Sequence, residues 1–133
     1  MVLELAPCGG FLRRDGVPDP DDLRDALLPV RAWYHPGSLY LHELAWMGGR
    51  LYGNAVALNA VVELPERGGF KPVWWPRCID SATGPRFERN YLQLNSIAGG
   101  PRLRDSFFSA SATRPSSRRP GHLNFPVDRR GVI

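Results

Sequence analysis

The sequence predicts an all-β chain of propeller-like blades, each an antiparallel four-stranded sheet, with about two to two and a half blades present and one short N-terminal helix. Three observations lead there. A unit reading Leu41-His42-Glu43-Leu44-Ala45 with Gly48-Gly49-Arg50-Leu51 returns 53 positions later as Leu94-Asn95-Ser96-Ile97-Ala98 with Gly99-Gly100-Pro101-Arg102-Leu103. Four consecutive apolar-alternating runs separated by turn residues follow from the first copy, and such sets recurring every 40 to 50 residues or so mark propeller blades. The chain also carries 14 glycines and 13 prolines in 133 residues, which suits a turn-rich β protein.

Residues 1–29 read as a decorating segment. Met1 to Phe11 suggests one strand and a glycine turn. Residues 19–28 suggest a short helix with Asp19 as N-cap, Pro20 in its first turn and acidic side chains at its positive end. Leu23 and Leu27 would share its buried face, and Pro29 would stop it.

Residues 30–133 read as a partial propeller. Its first blade, at about 39–79, runs from Leu41 through Leu51 to Val56, Asn59 to Leu64 and Gly68 to Trp75. Paired glycines supply the positive backbone angles of a tight hairpin, and Arg-Leu opens the second run in each copy. The next blade, at about 91–133, contains the second copy and the arginine-rich stretch Arg114 to Gly121 as a solvated loop between two strands. Trp33, Tyr34, Trp46, Tyr52, Trp74 and Trp75 are the residues expected to fill the space between sheets.

Several of these stretches carry a resemblance. Residues 35–133 are similar to DUF4915, an uncharacterised bacterial family. His42-Glu43-Leu44-Ala45 matches a family His-Asp-Leu-Ala, and the run from Phe70 to Ile79 resembles Phe-x-Pro-Leu-Trp-Arg-Pro-Pro-Phe-Ile. Gln93-Leu94-Asn95-Ser96-Ile97-Ala98 resembles His-Leu-Asn-Gly-Leu-Ala. The resemblance implies a propeller-like fold and brings no established activity. Gln93, Ser96 and Glu43 depart from the family's His, Gly and Asp, so chemistry depending on that second His would be lost here.

A closed propeller needs at least four blades. The length therefore suggests a fragment of a larger protein, or an assembly completed by another copy, with self-association through open sheet edges.

Hydrophobic residues make up 43% and charged residues 23%, values that support a folded core. The net charge of +4 is concentrated after residue 99, where seven arginines face Asp105 and Asp128. A basic loop and a general preference for arginine over the single lysine account for this, and the balance reads against nucleic-acid binding. Cys8 and Cys78 lack the spacing of a zinc site or a disulfide framework. No run reaches the length of a membrane span, so the cytoplasm is the expected compartment.

In a propeller the first strand of each blade lines the central channel, and there His42, Glu43, Gln93 and Asn95 are the candidate binding residues, joined by His35 before the Pro36-Gly37 turn. Asn54 and Asn59 read as turn or ladder residues. Strand alternation sends His42 and Glu43 to opposite faces. The expected function is a ligand- or protein-binding scaffold with no catalysis of its own, no predicted cofactor, and an unknown small molecule or protein as partner. The alternative is part of a hydrolase or lyase that uses Ca²⁺ or another divalent cation in the channel, where a carboxylate and amide oxygens would suit a hard ion.

Overall fold

The computed structural model describes residues 1–7, 27–35, 37–87 and 92–112. The chain divides into two units, Met1–Tyr34 and His35–Ile133. The eight strands of the described residues form three antiparallel sheets, and every pairing joins strands adjacent in sequence.

In the first unit, β1 (Val2–Pro7) pairs with β2 (Leu27–Trp33). The helix expected at 19–28 is corrected at its end: Leu27 and Leu28 lie in β2, and the rest of that stretch falls outside the described residues. Pro29 does not terminate anything, because it sits inside β2. The register shifts there, with Glu4 opposite Arg31 and Leu5 opposite Pro29, and an irregularity of this kind is where a strand tolerates a residue without an N–H.

The second unit contains the four-stranded meander that the sequence predicts. Its strands are β3 (Leu41–Met47), β4 (Arg50–Ala55), β5 (Ala60–Glu63) and β6 (Lys71–Trp74), and their spatial order equals their chain order. Gly48 and Gly49 have φ of 57° and 76°, the left-handed conformation that a two-residue hairpin of this type requires. A second sheet pairs β7 (Leu94–Ala98) with β8 (Phe107–Ala110). Here the Arg-Leu expectation is corrected. Arg50-Leu51 opens β4, whereas Leu103 begins a short 3-10 turn and β8 starts only at Phe107. The wider loop is held by the Gly100 amide on the Ser106 hydroxyl at 2.9 Å, and by Arg102 Nε on Asp105 at 2.7 Å.

β7 packs on β3 and β4. Met47, Tyr52, Val61 and Ile97 form the buried centre of this contact, with Ala45, Val73, Trp74, Leu103 and Phe108 around it. A second cluster gathers Ile79, Leu92 and Ala112 beneath Trp75, Cys78 and Phe87. Tyr52 and Trp74 therefore pack between the sheets as the sequence suggests, and Trp75 packs in the second cluster instead. Trp46 and Tyr34 do not: they are 64% and 74% exposed. Among the described residues no helix is long and apolar enough to cross a membrane.

Candidate functional site

The doubled motif proves to be a bulged strand. Leu41 pairs with Ala55 and Leu44 with Gly53, so His42 and Glu43 together stand opposite the single residue Asn54. The second copy repeats this, with Leu94 against Ala110, Ile97 against Phe108, and Asn95 and Ser96 sharing Ser109. The simple alternation expected for His42 and Glu43 is thereby corrected. The extra residue puts the Cδ2 atoms of both Leu41 and Leu44 at 3.0 Å from where a Cβ on Gly53 would stand, so both leucines serve one face.

The repeat also begins earlier than the sequence motif suggests. Tyr40 and Gln93, just before β3 and β7, both adopt left-handed backbone with φ of 46° and 48°. Bulky non-glycine residues hold such angles only when the surroundings enforce them. Matching bonds do so in each copy: the Val56 amide donates to the Tyr40 carbonyl at 3.2 Å, and the Ser111 amide to the Gln93 carbonyl at 3.1 Å.

Two side chains of the first sheet clip the second copy in place. Glu43 Oε2 accepts the Ile97 amide at 2.6 Å, and Asn59 Oδ1 accepts the Leu92 amide at 3.2 Å. Both amides belong to the bulged strand or its entry, and backbone N–H groups in such positions need partners. Asn59 combines this role with a left-handed turn conformation at φ 53°. In sequence it offers no more than a turn signal, because its partner lies 33 positions away.

The other candidates are placed as follows. His42 and Asn95 are exposed on the two bulges. His35 Nδ1 donates to the Gly69 carbonyl at 2.6 Å, pinning the loop before β6. Gln93 Oε1 accepts the Ser111 hydroxyl at 3.4 Å. Asn54, opposite His42 and Glu43, is fully buried, and neither of its side-chain polar atoms has a hydrogen-bond partner. The corresponding Ser109 does have one, since its hydroxyl accepts the Ser96 amide at 3.1 Å. His122 and residues 113–133 lie outside the described residues. Among the described residues no group of three or more His, Cys, Asp or Glu is gathered as a metal cluster. Burial pushes the Cys78 thiol above its ordinary range and the Asp80 carboxylate adds to this, against a backbone hydrogen bond that lowers it.

A cavity of about 530 Å³ lies between the end of β6 and the second sheet. Trp74 and Phe108 line it and stack on one another, with centroids 4.7 Å apart and an interplanar angle of 27°. Leu94 and Leu103 extend the apolar wall, and Arg104 and Ser106 also line it. The sequence does not disclose this cavity. It depends on the wide Gly99–Ser106 loop, which the doubled motif disguises as a copy of the tight Gly48-Gly49 turn.

Comparison with protein families, with curated proteins and with solved structures finds no match for this chain.

Proposed function

We propose that the chain is a propeller-type stack of repeats, related in kind to the DUF4915 family, that acts in the cytoplasm as a binding scaffold without catalysis of its own. The apolar cavity walled by Trp74 and Phe108 carries this reading, because its volume falls in the range that takes a small molecule and aromatic walls favour flat apolar groups. The polar candidate residues support it from the other side. Glu43, Asn59 and His35 are committed to backbone groups, which is structural work.

A fluorescence titration with 1-anilinonaphthalene-8-sulfonate tests the proposal. The probe's emission should rise on binding, and Trp74→Ala should weaken binding by about tenfold, the loss of roughly one well-packed aromatic contact. Trp46→Ala, which removes an exposed indole, should leave it unchanged. Equal effects of the two substitutions would contradict the cavity as the binding place.

The cation-dependent hydrolase or lyase remains as a second reading, on the buried and unpartnered Asn54 opposite the His42-Glu43 bulge. A buried amide of this kind invites a polar guest, such as a water or an ion. On the scaffold account, Ca²⁺, Mg²⁺ and Zn²⁺ leave the unfolding temperature unchanged. A rise in that temperature that disappears in Asn54→Ala would favour the cation instead.

A further inference from the structure

We infer that the cavity takes an anionic amphiphile: an apolar, preferably aromatic, body against Trp74 and Phe108, with its negative group at Arg104. This rests on the cavity being a binding place and adds the chemistry of its occupant. The floor and walls are apolar, through Trp74, Leu94, Leu103 and Phe108. The polar groups at its edge come from the 3-10 turn Leu103–Asp105 and the residue after it.

Charge at that edge is unbalanced. Arg102 holds the Asp105 carboxylate at 2.7 Å, while Arg104 reaches the other oxygen of the same carboxylate only at 3.8 Å. Two guanidinium groups thus share one carboxylate, and the shorter bond belongs to the arginine that does not line the cavity. Arg104 keeps a side chain 70% exposed, with donors free to swing toward a ligand. Ser106 does not compete for the same group. Its hydroxyl oxygen accepts the Gly100 amide at 2.9 Å and lies 3.0 Å from the Arg102 carbonyl and 2.9 Å from Met47 Sδ, so its bonding is already taken within the protein. A cation beside an apolar wall selects ligands that bring both an apolar surface and a negative charge. A neutral ligand would gain only the first, and a cationic one would be repelled.

Two probes of nearly the same shape separate charge from shape. N-phenyl-1-naphthylamine is neutral, and 1-anilinonaphthalene-8-sulfonate adds one sulfonate. Both should bind the full chain. Arg104→Gln should weaken the sulfonate probe by about three- to fivefold, the range of a solvent-exposed ion pair, and leave the neutral probe unchanged. Arg104→Glu should weaken the sulfonate probe further. Raising salt from low to high concentration should reduce sulfonate binding in the original protein and have little effect in Arg104→Gln. Arg104 is exposed, so unaltered unfolding temperatures are expected for both variants. If both probes bind and neither responds to Arg104, the anionic ligand class is overturned while the cavity stands. If neither probe binds the original protein, the cavity reading falls and this inference falls with it.

Discussion

Ile97→Ala lowers the stability of the chain by about 2 to 5 kcal/mol, a large share of the roughly 5 to 15 kcal/mol that holds a typical domain folded. Ile97 is 8% exposed and sits among Met47, Tyr52 and Val61, where β7 packs on the first sheet. Truncation removes its apolar surface and leaves a cavity at the contact that joins the two sheets. Its counterpart in the first copy of the motif is Leu44, which occupies the same place after the bulge yet is 41% exposed. Leu44→Ala should therefore cost less than about 1.5 kcal/mol, since the part of its side chain already in water contributes little. Chemical denaturation of the two variants reads the difference. Equal losses would mean that the second copy does not pack through Ile97.

Gly100→Ala is the second large effect, and it arises from crowding. A Cβ on Gly100 would collide with the Asp105 carbonyl oxygen and stand 2.8 Å from its carbon. Both are backbone atoms, so no side-chain rotation relieves the overlap and the Leu103–Asp105 turn must move. Overpacking of this kind costs about 1 to 3 kcal/mol, and more when backbone has to shift. For a chain of this size, 3 kcal/mol lowers the unfolding temperature by on the order of 10 °C. The same turn carries Leu103 and Arg104 into the cavity, so binding of the sulfonate probe should fall together with stability. Gly49→Ala makes a useful comparison, since nothing lies within 4 Å of the added methyl and only its φ of 76° opposes the change. It should cost about 1 to 2 kcal/mol and leave probe binding intact.

The meander β3 to β6 was legible in the sequence because its signals are local. Alternating runs and the Gly48-Gly49 turn each lie within a few residues of what they specify. The repetition of the strand unit was legible too, as Leu41 to Ala45 and Leu94 to Ala98. The bulge was harder to see. Two consecutive polar residues between apolar ones break a period of two, and Leu-His-Glu-Leu or Leu-Asn-Ser-Ile is the trace of that break. The left-handed angles at Tyr40 and Gln93 leave no such trace, because neither residue type prefers them. Nor does the end of the expected helix, since Leu27 and Leu28 serve a strand as readily as a helix and Pro29 is tolerated at an irregular register.

Of the candidate residues, Glu43 was singled out for its position and not for its task. It stands on the first strand of the repeat, and its carboxylate reaches an amide 54 positions away. Spacing along the chain cannot reveal a bond whose partner is a backbone group, because every residue other than proline offers one. The cavity was hidden for a related reason. Trp74 on β6 and Phe108 on β8 meet across two sheets, a contact between residues far apart in the chain.

Amide hydrogen exchange at Ile97 tests most directly that the second copy of the motif is clipped to the first by Glu43. The account predicts slow exchange of this amide in the original protein. In Glu43→Ala it should exchange about 10 to 100 times faster, as expected when a charge-assisted bond worth roughly 1.5 to 3 kcal/mol is removed, while amides within β4 and β5 keep their protection. An Ile97 amide that exchanges as fast as an exposed loop amide, or one that is slow and indifferent to Glu43→Ala, would contradict it.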